Sequence, residues 1–309
     1  MISYFRKQNF VFWGTPEYAA IILEKLIGNG FVPAAVVCNP DRPVGRKQII
    51  TPPPTKILGQ TFGIPVLQPD EFDSNFIAQI SGLRPDFFVV AAYAKIIPKE
   101  ILDIPRLGAI GVHPSLLPKY RGSTPIQNAI LSGEKETGVT LYLLDEKMDH
   151  GPILTISNFQ FPISKITYEI LLKELAELGG NLLVETLPKF AAQEIKPEPQ
   201  NEAEATCTKK FTSEDAFVDE NDLKDAQSGK DLKKAELIHR KIRALNPEPG
   251  TWTLASAPAN NKEPSFVETT AGEQMATAKR VKLLEAEISE NKLVLKKIQI
   301  EGEKPKIVT

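Results

Sequence analysis

His113 and Asp149 are the strongest candidates for chemistry in this chain of 309 residues. Histidine occurs only three times, at positions 113, 150 and 239. His113 directly follows a short apolar run, and Asp149 comes five residues after another, with His150 and Gly151 next in the chain. A histidine can donate a hydrogen bond to a developing oxyanion, while a carboxylate orients the ring or moves a proton. The pair therefore indicates acid–base or oxyanion chemistry, although a single histidine is more often structural.

A second candidate is the cationic segment 39–48, with the sequence NPDRPVGRKQ. It is long for a loop between a strand and a helix, and long loops in compact domains often serve a function. Its cations Arg42, Arg46 and Lys47 could meet phosphate groups. On charge alone, a solvated surface loop is an equally good interpretation.

Other ligand motifs are weak. The corner GTPE at 14–17 follows an apolar run, and such corners aim backbone N–H groups at anions. However, the sequence has neither GxGxxG nor GxxxxGK[ST], so dinucleotide or triphosphate binding is poorly supported. No His and Cys residues have the spacing of metal ligands, so we expect no metal site.

Short apolar runs must position these candidates, and we interpret them as strands. The runs are 10–13, 32–38, 64–67, 86–92, 108–112 and 139–144. They lack polar alternation, which is typical of strands buried on both faces. The segments 17–28, 69–81 and 124–132 have room for helices, so the pattern predicts an α/β fold with a mostly parallel sheet. Ligands of such sheets bind at the carboxyl ends of strands, which is where His113 lies.

The second half of the chain has a different texture. Leucines at helical spacing in 167–190 predict a packed helix, and the polar, proline-bearing stretch 196–206 predicts a linker. Beyond it come a helical pattern and three short strand-like runs, at 224–245, 251–254, 281–288 and 293–300. We therefore predict a domain over 1–195, a linker over 196–206 and a small β-rich domain, barrel or sandwich, over 207–309.

Composition excludes several classes of protein. With 42% apolar and 25% charged residues the chain is globular, and its net charge of −2 excludes a generally basic nucleic-acid coat protein. The two cysteines, Cys38 and Cys207, exclude a disulfide framework and fit a reducing compartment. No apolar run approaches the roughly 20 residues of a membrane helix. We expect a cytoplasmic monomer with no membrane partner.

The stretch 111–122, GVHPSLLPKYRG, followed by TPIQ at 124–127, resembles the signature of the 10-formyltetrahydrofolate-dependent formyltransferases. Supporting segments are GTPE (14–17), NPDRPVGR (39–46), AYAKIIP (92–98), GVT (138–140), MDHG (148–151), IRALNPEPG (242–250) and QIEGEKP (299–305). The last two are similar to the branch of that family that acts on methionyl initiator tRNA. The resemblance thus runs almost the length of the chain.

This resemblance implies a fold, a reaction and partners. It implies a Rossmann-like formyltransferase domain followed by a C-terminal barrel similar to an OB fold. It further implies transfer of the formyl group of 10-formyltetrahydrofolate to the α-amino group of methionyl initiator tRNA, for translation initiation. The loop with Arg42, Arg46 and Lys47 would meet the acceptor end of the tRNA, and the C-terminal domain would contact the tRNA backbone, which positions rather than specifies.

The resemblance also implies a folate cleft. It would lie at the carboxyl ends of the fourth and fifth apolar runs, where a pteridine needs an apolar slot and backbone hydrogen bonds. The residues implied are Tyr93, Ile96, Ile97 and Pro98 on one side and Ser115, Leu116, Leu117 and Pro118 beside His113. By sequence, both isoleucines could equally belong to the core.

One position departs from the family. Its catalytic asparagine, two residues before the histidine, is replaced by Gly111. In the implied mechanism that amide and His113 stabilise the oxyanion while Asp149 orients His113, and losing one oxyanion donor typically costs about 10²–10³ in rate. Three interpretations stay open. A water or a backbone N–H fills the space, the enzyme is slow, or the chain binds folate and tRNA with weak catalysis.

A related activity is the alternative. A formyltransferase acting on a nucleotide-linked amino sugar would share the chemistry of the first domain. The Arg42 loop and the corner NPEPG at 246–250 argue against it.

Overall fold

The computed structural model describes residues 9–308, apart from 46, 161, 163, 164 and 256–278. The chain divides into two compact units. The first comprises Met1–Pro125, Lys135–Phe161 and Glu169–Thr208, and the second comprises Ile126–Glu134, Pro162–Tyr168 and Lys209–Thr309. The domain boundary predicted at 196–206 stays a prediction.

A mixed sheet organises the first unit. Its strands and hairpins are β1 (Phe10–Gly14), β2 (Ala35–Val37), β3 (Arg42–Val44), β4 (Ile49–Thr51), β5 (Val66–Leu67), β6 (Phe87–Ala91), β7 (Ala109–His113), β8 (Arg121–Gly122), β9 (Glu136–Leu143), β10 (Ile153–Gln160) and β11 (Cys207–Thr208). Seven of them form one sheet in the order β10-β9-β7-β6-β1-β2-β5. From β5 to β7 neighbouring strands are parallel, while β9 and β10 are antiparallel. The predicted mostly parallel sheet is confirmed.

Helices lie between these strands along the chain. They are α1 (Glu17–Gly28), α2 (Pro54–Thr61), α3 (Ser74–Gly82), α4 (Lys99–Leu102), α5 (Pro125–Ser132) and α6 (Tyr168–Ala191). The leucines of α6 were predicted as core, and Leu171, Leu175 and Leu183 are fully buried. Gly179 lets this helix approach β7, because a Cβ there would lie only 3.0 Å from a methyl group of Val112.

Two strand segments differ from the sequence expectation. The segment 39–48 was predicted as a loop, but β3 and β4 pair across it as a hairpin. Strand β10 was not predicted. Its residues alternate between covered and exposed because it forms the edge of the sheet, so it lacks the continuous apolar run of a central strand.

The second unit is a small antiparallel β domain, as predicted. Helices α7 (Glu220–Ser228) and α8 (Leu232–Leu245) precede strands β12 (Trp252–Ala255), β13 (Lys279–Ser289), β14 (Lys292–Ile300) and β15 (Lys306–Ile307). These strands form one antiparallel sheet in chain order. Ile238 and Ile242, four residues apart on α8, pack with Leu283 and Leu295 of the sheet in one buried cluster.

No helix within the described ranges is long and apolar enough to cross a membrane.

Candidate active site

His113 is the last residue of β7, a central strand of the sheet. Its side chain is nearly buried, and each ring nitrogen faces an oxygen atom. Nε2 lies 2.9 Å from the carbonyl oxygen of Tyr120, and Nδ1 lies 3.6 Å from Oδ2 of Asp149. The structure therefore brings the two predicted catalytic residues together at the carboxyl end of β7, although β9, the strand before Asp149, runs antiparallel to β7.

Asp149 lies in the connection between β9 and β10 and has a left-handed backbone, with φ of 50°. Two donors hold its carboxylate. The backbone N–H of Gly122 donates to Oδ2 at 2.7 Å, and the hydroxyl of Tyr142 donates to Oδ1 at 2.6 Å. Hydrogen bonds to a charged acceptor are the stronger ones, so the carboxylate is fixed beside the imidazole. The neighbouring His150 turns instead to Asp145, with 2.6 Å between Nδ1 and Oδ2.

Gly111 lies opposite Tyr142 on the neighbouring antiparallel strand β9. The space that a side chain at position 111 would occupy is taken by the ring of Tyr142, since a Cβ at Gly111 would lie 2.5 Å from Cζ of that ring. Burial, and then the charge of Asp149, raise the pKa of Tyr142 well above its usual range, so the phenol remains a donor at neutral pH.

The turn after His113 is tied to β9 through Thr140. The hydroxyl of Thr140 donates to the carbonyl oxygen of Ser115 at 2.7 Å and accepts from the N–H of Leu117 at 3.1 Å. Ser115 and Leu117 are buried, and the bond from Leu117 to Pro118 is cis. Four predicted folate residues, Ser115, Leu116, Leu117 and Pro118, thus form one fixed turn beside the histidine.

The other predicted folate residues follow β6 and fall into two groups. Ile96 is 88% exposed, whereas Ile97 is buried in the core cluster with Trp13. The ring of Tyr93 stands edge-on to Trp13 at 5.3 Å between centroids. Burial raises the pKa of Tyr93, and its hydroxyl has no hydrogen-bond partner in the described part of the chain. Ile96 offers an exposed apolar surface, and the folate role of Tyr93–Pro98 stays a prediction.

The cationic segment is a hairpin whose strands, β3 and β4, are exposed throughout. Arg42 and Lys47 make no ion pair within the described residues, and Arg46 lies outside them. At its base, Asp41 accepts from Lys56 at 2.9 Å and from Gln68 at 2.8 Å. These two contacts, Gln68 first, lower the pKa of Asp41. Asp41 thus anchors the start of the hairpin, and the side chain of Arg42 next to it is exposed to solvent.

Residues that hold the backbone of Asp149 in place were not predicted from the sequence. Gln200 donates to the carbonyl oxygens of Asp149, at 2.9 Å, and of Gly151, at 2.8 Å. The buried guanidinium of Arg121 donates to Oε1 of Gln200 at 2.8 Å and to Glu202 at 2.6 Å. Gln200 was predicted to lie in a linker, and its polar, proline-bearing surroundings gave no signal of burial.

Strand pairing continues this support. Cys207 and Thr208, which form β11, pair in parallel with Arg121 and Gly122 of β8. Gly122 needs to be glycine there, because its φ is 107° and a Cβ would lie 2.5 Å from the carbonyl oxygen of Thr208. The backbone N–H that binds Asp149 is thereby fixed by the chain that follows Gln200.

No group of three or more His, Cys, Asp or Glu side chains among the described residues could hold a metal ion. The arrangement provides a histidine whose two nitrogens both face oxygen atoms and a carboxylate held by two donors. Such a site can donate hydrogen bonds to a developing oxyanion and accept a proton.

Comparison with known proteins defines the class first. Residues 7–187 match the formyl transferase family. Over 79% of its length the chain is 42% identical to methionyl-tRNA formyltransferase of Chloroflexus aurantiacus, covering 75% of that protein. It is 44% identical to the enzyme of the same name from Enterococcus faecalis, over 79% of this chain and 74% of the relative. The chain belongs to the methionyl-tRNA formyltransferase family.

Solved structures share the fold. Methionyl-tRNA formyltransferase from Clostridium thermocellum aligns with a TM-score of 0.54 at 16% identity, over 95% of this chain and 98% of that one. An N-formyltransferase from Helicobacter canadensis, solved with folinic acid and dTDP-3-aminofucose, aligns with a TM-score of 0.56 at 20% identity, over 96% of each chain.

Proposed function

We propose that the protein transfers the formyl group of 10-formyltetrahydrofolate to the α-amino group of methionyl initiator tRNA, for translation initiation in the cytoplasm. The observation that carries this proposal is the pairing of His113 with an anchored Asp149 at the carboxyl end of β7. The family membership of the chain supports the choice of reaction.

The chain would act on the reaction through His113. The amine nitrogen bonds to the formyl carbon, the bond from that carbon to N10 of the folate breaks, and N10 gains the proton that the amine loses. Because Nδ1 of His113 faces Asp149, Nε2 is the nitrogen left for the substrate. Nε2 would exchange the carbonyl oxygen of Tyr120 for the formyl oxygen, which carries the developing negative charge.

The folate would be bound by the turn 115–118 and by the segment that follows β6. The exposed Ile96 fits the apolar slot that a pteridine needs, and the turn supplies rigid backbone groups. No resident metal is part of the proposal.

The tRNA would meet the chain through the hairpin and the second unit. Exposed Arg42 and Lys47 suit the phosphates of an acceptor end, and three apolar neighbours, Val44, Ile49 and Ile50, are more than half exposed. We assign tRNA contact to the hairpin with Arg42, Arg46 and Lys47, and to the C-terminal unit. We expect the active form to be a monomer.

The test is formylation of methionyl initiator tRNA by the full chain with 10-formyltetrahydrofolate. We expect turnover by the wild type and a loss of at least about 10³-fold in His113→Ala, as when a group central to acyl transfer is removed. His239→Gln is the matched control, because His239 is a buried histidine of the second unit and should keep full activity.

Two results would contradict the proposal. One is turnover of a dTDP-linked amino sugar but not of methionyl-tRNA, which would favour the alternative substrate. The other is full activity of folded His113→Ala.

A further inference from the structure

The position of the family's amide is filled by an aromatic ring in this chain. Gly111 on β7 and Tyr142 on β9 are direct cross-strand partners, so their side chains point to the same face of the sheet. A Cβ at position 111 would lie 2.5 Å from Cζ of Tyr142 and 2.8 Å from Cδ1 of Leu144. Both distances are far inside the roughly 3.5 Å at which non-bonded heavy atoms meet. Because glycine has no Cβ, it leaves room for the ring of Tyr142 at this position.

The ring ends on the catalytic carboxylate. The Tyr142 hydroxyl donates to Oδ1 of Asp149 at 2.6 Å, while Oδ2 accepts from Gly122 and faces His113. Tyr142 is only 6% exposed, so water competes little for this hydrogen bond. A hydrogen bond between a buried phenol and a carboxylate is short and strong, and it restrains the carboxylate's rotation.

We propose that Tyr142 is a positioning residue for formyl transfer. Its ring occupies the space left by Gly111, and its hydroxyl holds the carboxylate of Asp149 in place beside His113. This role rests on the proposed function. In place of a second oxyanion donor, the chain has a carboxylate that a buried phenol holds beside the histidine.

The first test removes only the hydroxyl. Tyr142→Phe keeps the ring over Gly111, so the fold and substrate binding should be preserved while kcat falls by about 10- to 100-fold. The KM values for tRNA and folate should stay within about twofold, because the hydroxyl contacts Asp149 rather than a substrate. Tyr18→Phe is the matched control: its hydroxyl is buried in the same unit without a hydrogen-bond partner among the described residues, and kcat should not change.

The second test measures coupling between the two positions. Gly111→Asn should lower both kcat and the melting temperature in the wild type, since the new side chain collides with the Tyr142 ring. In a Tyr142→Ala background the ring is gone and only Cδ1 of Leu144, the end of a flexible side chain, has to shift. The same substitution should then leave the melting temperature unchanged or raise it and should increase kcat. The effect of Gly111→Asn thus reverses sign between the two backgrounds.

The outcomes separate this inference from the proposed function. Without wild-type turnover of methionyl-tRNA, the proposed function fails, and the melting temperatures alone still test the coupling. With wild-type turnover, unchanged kcat in Tyr142→Phe would overturn the positioning role. An equal effect of Gly111→Asn in both backgrounds would overturn the claim that ring and glycine share one space.

Discussion

Gly122→Ala combines a strained backbone with a collision beside the carboxylate of Asp149. The alanine would have to hold φ near 107°, and its Cβ would lie 2.5 Å from the carbonyl oxygen and 2.9 Å from the hydroxyl of Thr208. A left-handed backbone costs a non-glycine residue roughly 1–2 kcal/mol. The collision adds a second cost, because β11 must move or the peptide at 122 must turn.

Turning that peptide moves the N–H that donates to Oδ2 of Asp149 at 2.7 Å. A hydrogen bond to a charged group contributes about 1.5–3 kcal/mol. If the reaction depends on that bond, its loss reduces kcat by roughly 10- to 100-fold, at about 1.4 kcal/mol for each factor of ten.

The assay compares Gly122→Ala with Gly30→Ala in formylation kinetics and thermal unfolding. Gly30 also has a positive φ, 84°, but a Cβ there meets nothing within 4 Å. In Gly30→Ala the free energy of unfolding should therefore fall only by the cost of the left-handed backbone, and kcat should not change. A Gly122→Ala enzyme within twofold of wild-type kcat, or an equal loss of activity in Gly30→Ala, would show that the bond from Gly122 to Asp149 does not support the reaction.

Two further predictions concern the cationic hairpin and the second unit. Arg42→Ala should raise KM for tRNA at least about tenfold and leave KM for folate unchanged, with a shallower dependence of tRNA binding on salt; equal changes in both KM values would contradict the role of the hairpin. Burial, and then Arg243, lower the pKa of His239 to about 4, so the unfolded chain binds the extra proton between pH 6.5 and 4. The stability that neutral His239 contributes is present above pH 6.5 and is lost as the pH falls towards 4. In His239→Gln the unfolding free energy should therefore fall by roughly 3 kcal/mol less over this range than in the wild type. If the unfolding free energies of both proteins change equally with pH, the imidazole plays no part.

The central sheet could be predicted because burial on both faces leaves a continuous apolar signal, as in Phe10–Trp13. The edge strand β10 could not, since one of its faces meets solvent and its sequence alternates. The pairing of β3 with β4 was also missed. Its residues are exposed on both sides, so no pattern of burial was present to detect.

The His113–Asp149 pair was found because both residues come at or after the end of an apolar run. The expected geometry differs, since β9 is antiparallel to β7 and the two strands end at opposite edges of the sheet; the connection after β9 brings Asp149 back to His113. The role of Tyr142 could not be predicted. It lies in a predicted strand, but a tyrosine in an apolar-rich run is readily interpreted as core packing. Its role depends on register, namely that residue 142 faces residue 111, and register is a property of the paired strands. Gln200 depends in the same way on contacts with residues about fifty positions away.

Because Gln200 holds the backbone of Asp149, a fragment designed to keep the candidate active site must extend beyond Gln200. A fragment that ended at 195, at the predicted boundary, or at 187, where the family match stops, would omit Gln200 and β11. Such a fragment would contain both His113 and Asp149 and lack the partners that keep the Asp149 backbone in place. A fragment that runs to Thr208 keeps these contacts, so we would place its end by hydrogen bonding rather than by the end of the family match.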